Sequence, residues 1–216
     1  MILTRAQEMI GGIYDLGVGY DVYDFLVTDR AHLPETVRAR QSEEDLIVAE
    51  AGDEMAVSLY LDPGLLERLA RADPMVRLDE RNVADWWTAL EGVSHFLYLV
   101  WNASHDRPVS LLELEMQAEV DKYVASYWLM RRQCPGRFPL ELRRLLFERT
   151  RIDPQLAAGR DDLYRHASGY AERFCRRLER LLHSARTGRE DGVLAELRRF
   201  YRYTNARKRS HIEQLA

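Results

Sequence analysis

At 216 residues, with 46% hydrophobic and 31% charged side chains, the chain is long enough to bury a sizeable core and too apolar to be disordered throughout. No run approaches the roughly 18 apolar residues of a membrane helix, and the opening residues are polar where a secretory signal would carry its apolar core. The expected location is therefore cytoplasmic, with no membrane partner.

The net charge of −4 hides an uneven distribution. Residues 1–125 carry 24 Asp and Glu against 10 Lys and Arg, a net of −14, and residues 126–216 carry 11 against 21, a net of +10. Two such halves attract one another, within one chain or between copies. Of the 31 basic residues only Lys122 and Lys208 are lysine. Cys134 and Cys175 have no metal-ligand spacing and are expected as reduced thiols.

In chain order, residues 3–14 place Leu3, Ala6, Met9, Ile10 and Ile13 at helical spacing, predicting a short leading helix. Residues 20–28, aromatic and β-branched, predict a strand. Residues 46–51 and 55–61 predict a hairpin around Gly52, Asp53 and Glu54, because Met55, Val57, Leu59 and Leu61 alternate with smaller or polar residues. Together these make an antiparallel sheet of about three strands. The polar stretch from His32 to Ser42 reads as a break in the pattern.

From Asp62 the period changes from 2 to 3.6 residues. Asp62 and Pro63 start a helix to about Arg71. Asn82, with Asp85 three residues on, predicts the cap of a long helix. Ser110 and Glu113 form a capping box for a second one, ending near Cys134 before Pro135. Further helices are predicted from Pro139 to about Thr150, from about Arg160 to Thr187 before Gly188, and from about Gly192 to Tyr203, with a turn at Asp153 and Pro154. The tail from Asn205 is basic and expected to be frayed or docked late. The fold class is α+β and helix-dominated, a small N-terminal sheet packed on a C-terminal helical bundle. It reads as a single domain, with residues 1–62 the sheet region, 63–205 the bundle and 206–216 the basic tail.

The long hairpin over residues 82–133 is the centre of this layout. Its first helix has an apolar seam at Trp86, Leu90, Val93, Leu97 and Val100, with Glu91 and His95 on a narrow polar stripe, one turn apart and able to pair. The tryptophans Trp86, Trp87, Trp101 and Trp128 sit among aliphatic residues and read as core. The second helix carries two polar stripes, Glu113, Gln117 and Asp121 on one side and Glu115, Glu119, Lys122 and Ser126 on the other. At most one of them is expected to face inward. If it is the second, Glu91, His95, Glu115 and Glu119 converge as oxygen and nitrogen donors fixed by packed helices, which is how bundles hold divalent ions. His105 and Asp106 in the intervening turn, and His166, are weaker candidates.

The other candidate site is an anion or nucleic-acid strip of Arg198, Arg199, Arg202, Arg207, Lys208 and Arg209, interleaved with Phe200, Tyr201 and Tyr203. The leading functional expectation is a cytoplasmic, non-enzymatic interaction or assembly protein, a homo-oligomer or a subunit, acting through complementary acidic and arginine-rich surfaces and needing no cofactor. The alternative is a metal-dependent enzyme using a divalent ion on the central hairpin. A second alternative is nucleic-acid contact through the C-terminal strip.

Overall fold

The computed structural model describes residues 1–52, 54–148, 161–184 and 191–214. The fold is helix-dominated α+β with a three-stranded sheet near the N-terminus. Helix α1 (Ile2–Tyr14) buries Leu3, Ala6, Ile10, Ile13 and Tyr14, and despite Gly11 and Gly12 it is continuous. The expected strand at 20–28 is mostly a 3-10 turn, Val22–Phe25, followed by a two-residue strand β1 (Leu26–Val27). The cause is local: the Asp21 carboxylate accepts the Tyr23 N–H at 2.9 Å, giving the backbone a turn in place of a ladder. After a second 3-10 turn comes the short helix α2 (Glu35–Arg38), within the stretch expected to be irregular.

Strands β2 (Glu44–Ala51) and β3 (Glu54–Leu61) form the expected antiparallel hairpin, but Ala51 pairs directly with Glu54, so the connection has two residues rather than three. The sheet order is β1-β3-β2, and β1 pairs parallel to β3. The sheet is thus mixed, not wholly antiparallel, because the chain returns from β1 to β3 only after α2 and β2.

Asp62 caps α3 (Pro63–Arg71) by accepting the Gly64 N–H at 2.8 Å, as the sequence predicts. Helix α4 (Val83–Ala103) starts at Asn82, yet Asn82 makes no side-chain cap bond. Its amide instead donates to the Ala72 and Arg77 carbonyls and accepts the Asp79 N–H, tying down the loop before the helix. Helix α5 (Leu111–Gln133) begins with the complete Ser110–Glu113 capping box. Then follow α6 (Leu142–Glu148), α7 (Asp161–Ser184) and α8 (Asp191–Tyr201). The expected helix ends at Thr150, Arg160 and Thr187, the turn at Asp153 and Pro154, and the stop at Gly188 lie outside the described residues. Of the two expectations for the tail, docking is the one seen: α9 (Asn205–Glu213) buries Lys208 and Ile212.

One apolar cluster joins α1, α4, α5, α7 and α8, and all five seam residues of α4 belong to it. Trp86 and Trp101 are buried, and Trp87 and Trp128 pack against the cluster from its edge. No helix among the described residues is long and apolar enough to cross a membrane.

Gly92 sets the distance between the sheet and α4. A Cβ there would stand 2.8 Å from Leu59 Cδ1 and 3.0 Å from Glu44 Cγ. The missing side chain at Gly92 leaves the space that Leu59 and Glu44 fill against α4, and that approach carries the Glu44 carboxylate over the helix. Gly92→Ala is expected to lower the unfolding free energy by about 1–2 kcal/mol, since overpacking outweighs the helix-propensity gain of about 1 kcal/mol. Urea denaturation checks this, and equal or greater stability in the variant would contradict the close approach.

Candidate metal centre

The phase of α5 explains the site. Both of its polar stripes face inward, where at most one was expected. Glu113, Gln117 and Asp121 are buried on one side, and Glu115, Lys122 and Ser126 on the other. The reason is that α5 is enclosed: α4, α6, α7 and α1 pack around it, so most of both edges is cut off from water, with Glu119 of the second stripe staying partly exposed.

On the first side the polar groups satisfy one another. Asp121 Oδ1 accepts the Tyr14 hydroxyl at 2.5 Å and the Gln117 amide at 2.8 Å, and Oδ2 accepts Ser94 Oγ at 2.5 Å. Burial still raises the Asp121 carboxyl, to about 6. Lys208, reaching in from α9, donates to Gln117 Oε1 at 2.7 Å while its ammonium faces the rings of Tyr98 at 4.4 Å and Phe200 at 4.9 Å.

On the second side α4 and α5 bring together Glu91, His95 and Glu115. One ligand atom from each lies within 4.8 Å of the others. His95 is 6% exposed, and its Nε2 stands 3.7 Å from Glu115 Oε2 with no hydrogen-bond partner among the described residues. Its Nδ1 stands 3.4 Å from Glu44 Oε1 on β2. Glu44 was not singled out in the sequence. The one signal that could have found it is Gly92, an isolated glycine in an apolar helix, which marks a close backbone approach.

Glu119, the fourth expected ligand, is not among the three. Its Oε1 holds Lys122 Nζ at 2.6 Å, and Lys122 also donates to Glu91 Oε2 at 2.9 Å. The expected pairing of Glu91 with His95 is replaced by this contact with Lys122.

The electrostatics follow from burial and sign. Burial opposes charge on His95, but Glu115 and then Glu44 and Glu91 outweigh it and lift the imidazole to about 10. Burial raises Glu115 to about 7, against the pull of His95. Glu44 also rises by burial, whereas in Glu91 the Lys122 ammonium overcomes burial and lowers the carboxyl. Four carboxylates thus surround two cationic side chains, a local excess of negative charge in a place with little water.

The basic strip is not a continuous face. Arg198 and Arg202 donate to the carbonyls of Ile13, Tyr14 and Asp15 at the C-terminal end of α1, where a cation complements the helix dipole. Arg199 pairs with Glu196, Arg207 stacks over Tyr203 and Arg209 lies over Tyr170. Lys208 is fully buried, which corrects its assignment to an anion-contacting surface: α9 turns its side chain into the core. His105 is held by the Trp101 carbonyl at 2.7 Å, and His166 is exposed on α7. Cys134 is exposed, and Cys175 is buried with its thiol pushed up by burial.

No family model matches the chain, and no curated protein or solved structure matches it.

Burial pushes Lys208 down to about 7, against the carboxylates of Glu113 and Asp121 and with a small further lowering from Arg107. In the unfolded chain the same amine titrates at about 10.4. Between these values the unfolded state binds one more proton, so this group makes the fold more stable as the pH rises from 7 towards 10. Relative to wild type, Lys208→Met should therefore lose about 2 kcal/mol of stability between pH 7 and pH 9, at up to about 1.4 kcal/mol per pH unit. Paired urea titrations at the two pH values give the difference, and a difference independent of pH contradicts it.

Proposed function

We propose that the protein binds a divalent transition-metal ion between α4 and α5, with Glu91, His95 Nε2 and Glu115 as ligands. The observation that carries this reading is His95 Nε2, a buried nitrogen 3.7 Å from Glu115 Oε2 and without a hydrogen-bond partner among the described residues, in a group where one ligand atom each of Glu91, His95 and Glu115 lie within 4.8 Å of one another. A buried polar atom of this kind costs about 1–3 kcal/mol unless something satisfies it. A metal ion would take the place of the proton on Nε2 and at the same time offset the excess of carboxylate charge.

The surroundings suit this role. A ligating histidine commonly gives its other ring N–H to a carboxylate that fixes the tautomer and orientation, and Glu44 faces Nδ1 in that position. One nitrogen and carboxylate oxygens, with no thiolate, suit Mn, Fe(II) or Zn. Three protein ligands leave coordination positions for water or a substrate, as in catalytic rather than closed structural sites. The Glu91 side chain, 30% exposed, is the edge through which such a molecule would arrive.

Excess Mn(II) or Zn(II) is expected to raise the melting temperature of the metal-free protein by roughly 5–10 °C at about 100 times the dissociation constant. His95→Gln and Glu115→Gln should abolish most of that rise. An unchanged wild-type melting temperature, or an equal rise in both variants, counts against the site.

A second reading concerns assembly. The far half of the β2–β3 hairpin is exposed on both faces, with Val48 41% and Met55 36% exposed, and it carries Glu50 and Glu54. Arg173, Arg176 and Arg180 lie exposed along α7. Their opposite charges favour docking of the hairpin of one copy on α7 of a second. Sedimentation should show a larger species at 50 mM salt that dissociates at 500 mM, and a monomer at both would remove this reading.

A further inference from the structure

We propose that Lys122 is a second, tethered cation of the metal site, filling beside Glu91 and Glu119 the place a second divalent ion would take, so that the site accepts one ion and no more. This rests on the metal reading above.

The four carboxylates divide into two groups that share Glu91. Glu91 and Glu115 converge with His95, whose Nε2, 3.7 Å from Glu115 Oε2, lacks a hydrogen-bond partner among the described residues. Glu91 Oε2 and Glu119 Oε1 converge on Lys122 Nζ, at 2.9 and 2.6 Å. Glu91 therefore lies between two cation positions, as a bridging carboxylate lies between paired ions in helical bundles. At the second position the cation is covalently part of α5.

Choice of residue supports the assignment. This chain uses arginine for 29 of its 31 basic positions, and its two lysines are both buried. A guanidinium is a broad planar fork, whereas an ammonium is a compact point charge on a flexible stem, closer in size and symmetry to a metal ion. The Lys122 side chain is 7% exposed, so its charge acts in a poorly screened setting beside the Glu91 and Glu119 carboxylates it contacts. With Lys122 in place and the His95 Nε2 proton displaced, one divalent ion leaves a single one of the four carboxylate charges without a counter-charge. Without it, Glu119 and one oxygen of Glu91 are left with no cation.

Native mass spectrometry with Mn(II) tests this. Wild type should carry one ion per chain, Lys122→Met two, and Lys122→Arg, which keeps a cation, one. A single ion in Lys122→Met, or two in wild type, overturns the proposal. If Lys122→Met does not fold, electron paramagnetic resonance of wild type decides it. In several-fold excess Mn(II) the bound signal should be that of isolated ions, and an exchange-coupled pair would contradict the tethered cation. A wild type that binds no ion at all is a different result, because it removes the metal reading itself.

Discussion

Enclosure of α5 is the constraint from which the other features follow. The helix carries acidic, amide and basic side chains on two edges, and it is surrounded by α4, α6, α7 and α1. Removing an unpaired charge from water costs several kcal/mol even after relaxation, so each group on those edges has to be matched inside the fold. The neighbours supply the matches. Tyr14 from α1, Ser94 from α4 and Lys208 from α9 serve one edge, and Glu91 and His95 from α4 and Glu44 from β2 serve the other. The order in which the elements pack is therefore tied to α5 chemistry as much as to apolar area.

The two edges end in different states. Around Asp121 both carboxylate oxygens accept hydrogen bonds from neutral donors, and the network closes on itself. Around Glu115 the carboxylates outnumber the cations, and His95 Nε2 has no hydrogen-bond partner among the described residues. Fully satisfied polar networks make a core specific, and a buried atom left without a partner calls for an explanation, such as an ion or a water. On the proposed reading, that contrast within one helix separates a structural edge from a metal-binding one.

Much of the scaffold is legible in the sequence because its signals are local. The change of period at Asp62, the Ser110–Glu113 capping box and Pro135 after α5 act within a few residues of the elements they set. The residues proposed as metal ligands were reachable by the same route: helical phase puts Glu91 and His95 on one stripe of α4, and Glu115 on a stripe of α5. What the sequence does not reveal is long-range. Glu44 arrives from β2, 51 positions before His95, and only Gly92 hints at it. Lys208 lies in a tail whose polarity suggests solvent, yet α9 folds back so that its amine meets Gln117, 91 positions away. Asp21 turned an apparent strand into a 3-10 turn, and Asn82 abandoned its cap for loop carbonyls. In each case a side chain found a better partner than its local pattern implied.

The central claim is that the edge of α5 bearing Glu115 is completed by a metal ion. Anomalous diffraction from crystals grown with Zn(II), measured at the zinc absorption edge, tests it most directly. The account predicts a peak buried between α4 and α5, about 2.0–2.1 Å from His95 Nε2 and about 2.0–2.2 Å from an oxygen of Glu91 and of Glu115. A structure in which His95 Nε2 instead donates to Glu115, with no anomalous density at that position, would contradict it.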